Sequence, residues 1–322
     1  MKRSVSRSIP NGAFIRFAIL VCLAALCVSP EVRAENPALP AEAQKGVEKM
    51  YNGDPDGAIQ IFRSVQTASP DSALGYLLEG EARWWKIYCA ALDVKWGFVD
   101  ALKRPRQPGD DEYLVFADKI IALAEAQYKE NDSAEFHLYA GLGWGLKARL
   151  YGLQAEHRAA ARAGVRGREE FLRAAQLDPQ MTDANTGLGL YNYYVDTLSG
   201  IVKVLRFFLG IPGGNKEEGI RQLETAITGG GMTATEARFY LGRNLRTYDQ
   251  QYERAIKFIE PLTRQYPHNP IFLLLLGNLK VELGRKAEAA ADFRAARDLA
   301  IADPTCATHV RHVTGAFLAS VN

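Results

Sequence analysis

Cys306, His309 and His312 follow one another in a C-x2-H-x2-H spacing, residue types that can bind a transition metal. On one helix, steps of three drift around the axis, and the sequence offers no evident fourth ligand, so no metal is expected there. "GLGWG" (Gly141 to Gly145) has the composition of a dinucleotide turn but lacks the third glycine spacing and a preceding strand; within a helical pattern it reads as close helix packing. "GIPGGNKEEG" puts Lys216 where a phosphate loop would need Gly-Lys and then Ser or Thr, but Asn215 precedes it and Glu217 follows. The carboxylate pairs Asp110-Asp111 and Glu169-Glu170 are better explained as helix starts or solvated faces than as an acid and its base. No Gly-x-Ser-x-Gly, His-Glu-x-x-His or oriented Cys–His pair occurs. No catalytic, cofactor-binding or metal-binding residue is therefore assigned, and an enzyme is not expected.

Aromatic side chains remain as candidates for binding. Trp84, Trp85, Tyr88 and Trp96 cluster with Lys86 and Lys95. Helical spacing assigns most of them to core, but adjacent tryptophans cannot both face inward, so one of Trp84 and Trp85 is expected to line a groove. In "YNYY", Tyr191, Asn192 and Tyr194 are expected on a concave binding face.

The elements that must carry these residues are set by an internal period. "LGNLKVELGRKAEAAADFRAA" places Gly277, Ala289, Phe293 and Ala296 at intervals of 12, four and three. Gly46, Ala58 and Phe62 repeat the first two intervals, and Pro70 follows eight residues after the phenylalanine. Phe171 and Pro179 stand eight apart again, as do Ile259 and Pro267, with Ala255 four residues before the isoleucine. Small residues at these places let paired helices approach, the aromatics fill the grooves between pairs, and proline ends each unit. In "GDPDGAIQIF", Asp54 is the expected N-cap and Pro55 the first helical residue. One pair cannot bury its own apolar face, so successive pairs must stack. The spacing resembles the tetratricopeptide repeat, a helix–turn–helix unit of about 34 residues. The resemblance implies an all-α, right-handed superhelical solenoid of helix pairs, with roughly 14 helices and no strand. "KRPRQPGDD" (Lys103 to Asp111) is a polar turn within it, and residues 305–320 read as a capping helix.

One unit is interrupted. Gly189 and Gly219 take the small positions of its two helices but lie 30 residues apart where 12 are expected. The insert, about residues 197–214, contains "SGIVKVLRFFLGIPGG", an amphipathic helix over 199–211 with a wide apolar arc that includes Phe207 and Phe208. It is too short to span a bilayer. It either packs into the solenoid groove or offers a lip to a partner, a membrane or a lipidic ligand. Asn215 is expected to cap the helix that follows. Over about residues 182–300 the chain also resembles a divergent tetratricopeptide family, the inclusion-body clearance and mitochondrial outer-membrane proteins (tetratricopeptide repeat protein 39 in animals). The shared features are the Gly-rich aromatic helix, the short apolar helix, the Gly turn and the "GNKE-G" helix start. That resemblance implies the fold and not those proteins' cellular roles.

Residues 1–34 read as a secretory signal: a basic start, the apolar run "FAILVCLAALCV", and Val32-Arg33-Ala34 before the cut. Export to the periplasm is expected, with envelope association or secretion as the alternatives. Removing the segment takes away five basic residues and one acidic residue, so the formal charge of +2 becomes −2, and no nucleic-acid partner is expected. Cys89 and Cys306 remain in residues 35–322; an oxidising compartment would permit a disulfide, but two separate buried thiols are the simpler expectation at this separation. The sequence points to an exported, non-enzymatic scaffold that binds a protein or peptide in an extended groove. The alternative is an envelope adaptor that touches membrane or lipid through residues 199–211.

Overall fold

Local signals fix where the helices begin. Asp54 Oδ1 accepts the Gly57 N–H at 2.8 Å with Pro55 at the first helical position, and Asn215 Oδ1 accepts the Glu218 N–H at 3.0 Å. Asn269 accepts from both Ile271 and Phe272, with Pro270 following it. The computed structural model describes residues 38–95, 97–197 and 211–321. Residues 1–37, which include the expected signal segment, residue 96, residues 198–210 of the insert and residue 322 lie outside the described residues.

Thirteen helices follow in order among the described residues: α1 (Ala41–Tyr51), α2 (Pro55–Ala68), α3 (Ala73–Ala90), α4 (Asp110–Glu130), α5 (Ala134–Leu153), α6 (His157–Leu177), α7 (Ala184–Thr197), α8 (Lys216–Gly229), α9 (Ala234–Thr247), α10 (Tyr252–Gln265), α11 (Pro270–Glu282), α12 (Lys286–Arg297) and α13 (Pro304–Val321). They form an all-α solenoid of antiparallel pairs, α1/α2 through α11/α12, and α13 packs on the last pair. Among the described residues, no helix is long and apolar enough to cross a membrane.

The repeat spacing has the predicted steric cause. Phe171 lies in a notch between α5 and α7: a Cβ at Gly141 would come within 2.7 Å of its ring, and one at Gly187 within 1.9 Å. The ring thus joins its own pair to the next. In the interrupted unit, a Cβ on Gly189 would meet Gly219 O at 2.8 Å, so these two glycines form the α7–α8 crossing despite the insert between them.

Two features depart from the sequence expectation. The first is a β-hairpin, where no strand was expected. β1 (Leu92–Lys95) pairs antiparallel with β2 (Phe98–Ala101) in the register Leu92↔Ala101 to Lys95↔Phe98. Gly97 in its turn has φ of +82°, a conformation that glycine adopts without strain. The hairpin is too short for periodicity to reveal, and long-range contacts hold it in place. Asn278 Nδ2 donates to Gly97 O at 2.8 Å, and Arg243 Nε donates to Asp100 Oδ1 at 2.8 Å.

The second departure is that the solenoid closes on itself. The α1–α2 turn sits on the turn between α10 and α11, where Asn269 Nδ2 donates to Tyr51 O at 2.7 Å and His268 N–H to Asn52 Oδ1 at 3.2 Å. Cys89 and Cys306, expected as separate thiols, are joined by a disulfide with Cα atoms 5.1 Å apart. They meet because α13 folds back against α3, across a sequence separation of 217 residues.

Closure determines what fills the interior. Trp84 and Trp85 are both buried, at 3% and 4% exposure, contrary to the expectation that one must face out. Helix α3 is enclosed on more than one side. Trp84 Nε1 donates to Tyr240 OH at 2.9 Å across the centre, whereas Trp85 packs edge-on against Tyr51, Phe239 and Phe272. Between α3, α9 and α11 the interior is therefore core, and neither tryptophan lines a groove there.

Candidate functional site

Two ion networks cross this interior. Asp100 of the hairpin accepts from Tyr88 OH at 2.7 Å and pairs with Arg243 at 2.7 Å; Arg246, fully buried, lies 3.7 Å away. Burial alone would raise the Asp100 carboxyl, but Arg243 and Arg246 outweigh it and hold it below the usual range. In the second network, Arg149 of α5 bridges Glu81 at 2.6 Å and Glu236 at 2.7 Å. One guanidinium faces two buried carboxylates. Burial, with a further push from Glu81, outweighs Arg149 and raises Glu236 to about 8. Both networks join elements distant in sequence, and neither places a nucleophile against a base.

The site open to a ligand is lateral. Helices α2 and α3, the strap of residues 102–109, the start of α4 and the start of α13 enclose a cleft of about 880 Å³, within the size range of small-ligand sites. The strap is held at its start: Leu102 N–H donates to Ala91 O at 2.9 Å, and Arg104 N–H donates to Leu153 O at 3.1 Å. The Arg104 guanidinium grips Asp110 with two bonds of 2.7 and 2.8 Å, and Asp110 also accepts the Gln107 N–H at 2.7 Å. Burial raises the Asp110 carboxyl, but these donors outweigh it and hold it low. "KRPRQPGDD" is thus a wall of the cleft as well as a turn.

The α3 side carries Arg83, Lys86, Ile87 and Ala90, with Ile59 and Gln60 of α2 beside them. Glu79, 2% exposed, accepts from Arg83 at 2.7 Å, Arg63 at 3.2 Å and Gln66 at 2.8 Å. Burial raises this carboxyl, but the bonds from Gln66, Arg83 and Arg63 prevail and lower it. About two turns along α3, Lys86 Nζ donates to Asp56 at 2.5 Å and lies 3.8 Å from Asp303. Asp303 Oδ1 also accepts the Cys306 N–H at 2.9 Å, so the disulfide and this carboxylate share the first turn of α13.

Among the described residues, none of Trp84, Trp85, Tyr191, Asn192 and Tyr194 lines this cleft; of the charged residues beside the tryptophans, Lys86 does. Trp84 and Trp85 are core. Tyr191, Asn192 and Tyr194 share α7 but turn to different neighbours: Tyr191 OH donates to Pro212 O at 2.9 Å, Asn192 Nδ2 to Gln222 Oε1 at 2.8 Å, and Tyr194 OH to Asn244 Oδ1 at 3.0 Å. Phe207 and Phe208 lie outside the described residues. The Cys-His-His spacing separates into different jobs: Cys306 is in the disulfide, His309 Nδ1 contacts Leu92 O at 2.7 Å, and His312 faces Asp93 at 3.4 Å. Sequence reasoning passed over Asp56, Arg63, Arg83 and Asp303. A signal was present, because Glu79, Arg83 and Lys86 recur at steps of four and three and mark a charged stripe on a helix whose one other charged residue is Glu81.

No family model and no curated protein matches the chain. Among solved structures, the chain is similar to yeast Tom70 at 10% identity, over 87% of this chain and 88% of that one, with a TM-score of 0.29. It is similar to a tetratricopeptide repeat protein from Parabacteroides merdae at 15% identity, over 85% and 99%, with a TM-score of 0.33. The tetratricopeptide repeat domain of P58(IPK) matches at 11% identity, over 87% and 98%, with a TM-score of 0.25.

Proposed function

We propose that this chain is an exported, non-enzymatic scaffold of tetratricopeptide type, which binds a peptide or protein segment in its lateral cleft. One contrast carries the reading. The interior face is filled by Trp84, Trp85, Tyr240 and the two ion networks, whereas the cleft between α2, α3, the strap and α13 leaves about 880 Å³ open. The ionised groups at the base of the cleft are engaged with one another in ion pairs, an arrangement suited to recognition. Export is supported by the signal-like residues 1–34 and by the Cys89–Cys306 disulfide, since such bonds persist in oxidising compartments. The likeness of residues 182–300 to the divergent tetratricopeptide family belongs to the same proposal.

A photo-crosslinking residue in place of Gln60, in the cleft, is expected to capture a discrete partner in cells, whereas the same residue at Arg158 on the outer face of α6 does not. Equal capture at both places overturns the cleft as the binding site. Mass spectrometry of the purified protein is expected to show a chain starting at Glu35 in the periplasmic fraction; an unprocessed cytoplasmic chain overturns export.

A further inference from the structure

The ion pairs at the base of the cleft are not balanced. At one end, two guanidiniums, Arg63 and Arg83, share the single carboxylate of Glu79. At the other, two carboxylates, Asp56 and Asp303, share the single ammonium of Lys86. One end therefore keeps a positive charge in excess and the other a negative one. These ends are ordered by antiparallel packing: Asp56 and Arg63 stand seven residues apart on α2, which is about 10 Å of helix. Ile59 and Ile87 lie between them, with the Gln60 amide exposed at the edge. On the opposite wall Arg104 and Asp110 neutralise each other, and Lys103 and Glu112 are of opposite sign.

We propose that the cleft is a dipolar seat for a short zwitterionic peptide, its free carboxylate against Arg63 and Arg83 and its free ammonium against Asp56 and Asp303. This rests on reading the cleft as the peptide site and specifies which peptides it takes. An extended chain advances about 3.3–3.6 Å per residue, so about three residues place the two termini at the two poles. Arg63 is 59% exposed at its side chain and Asp56 47%, so both present open faces to an incoming ligand while paired with Glu79 and Lys86. The guanidinium fork suits a carboxylate in two-bond geometry. The apolar stretch between the poles accepts small or aliphatic side chains.

The test is calorimetric titration of the full mature chain with trialanine, N-acetyl-trialanine and trialanine amide. Trialanine is expected to bind, and each blocked form to bind about tenfold or more weakly, the loss of one charge-assisted contact. Arg63→Gln should reproduce the loss caused by amidation and make the amide no worse than the free acid. Asp56→Asn should do the same for acetylation. Both changes are on exposed side chains, and Asp303→Asn, which keeps the cap of α13, serves as the second variant at the acidic pole. Circular dichroism confirms that each variant folds. Equal binding of free and blocked peptides overturns the dipolar seat and leaves a cleft that takes internal segments. No binding of any of the three peptides also overturns it; the broader reading then stands or falls on crosslinking from Gln60.

Discussion

Phe171 shows how one side chain sets the relation between two helix pairs. Its ring fills the notch left by Gly141 and Gly187, and no smaller residue can occupy both contacts. Phe171→Ala is expected to lower stability by about 3–5 kcal/mol, read from urea unfolding with an unchanged slope. Glu236 contributes to a different property, the response of stability to pH. Its folded value of about 8 lies above the ordinary 4.5, so the folded chain holds a proton that the unfolded chain releases between those values. Its stabilising contribution is full below the ordinary value and is lost as pH rises through about 8. Asp100 has the opposite sign: held low in the fold, it stabilises above the ordinary carboxylate range, and that stability is lost as pH falls through its lowered value. Glu236→Gln should therefore flatten the decline of the thermal midpoint between about pH 5 and 8 and leave the acid limb in place. An unchanged alkaline decline would show that Glu236 does not cause it.

At the scale of elements, what could be read from the sequence was local. Asp54 with Pro55, Asn215 as a cap, and the Gly46–Phe62 and Gly277–Phe293 contacts all follow from spacing within one unit. The hairpin and the seat of α13 did not, because Asn278, Arg243 and His309 hold them from far along the chain. The disulfide fastens this non-local element. Closing a loop of 217 residues restricts the unfolded chain strongly, so Cys89→Ser is expected to cost about 2–5 kcal/mol. Hydrogen exchange locates the effect: protection should fall in 304–321 and 92–101 and persist in α5 and α6. A uniform loss along the chain would mean that the bond does not act locally on α13. Because Asp303 caps the same turn, the variant should also weaken trialanine binding if the dipolar seat holds.

At the scale of the molecule, closure converts a linear array into a ring. An open repeat protein is held by nearest-neighbour contacts and can lose end units first. Here the first pair meets the start of α11 through Tyr51 with Asn269, and the second pair meets α13 through Cys89 with Cys306, so neither end is free. The same closure buries Trp84 and Trp85 together, which is why helical spacing alone gave the wrong answer for them: their second set of neighbours comes from α9 and α11. A closed ring should unfold as one unit, with helix content by circular dichroism and tryptophan emission falling at the same urea concentration. Gly53 is the place to break it. Its φ is +89°, and a Cβ there would lie 2.3 Å from His268 O, so Gly53→Ala forces the α1–α2 turn away from the α10–α11 turn. Combined with Cys89→Ser, it removes both fastenings of the ring. The two probes should then separate, with a smaller slope for the first transition as the terminal pairs leave before α5 to α8. Coincident transitions in the double variant would mean that the interior aromatic and ionic contacts hold the ring closed without either fastening.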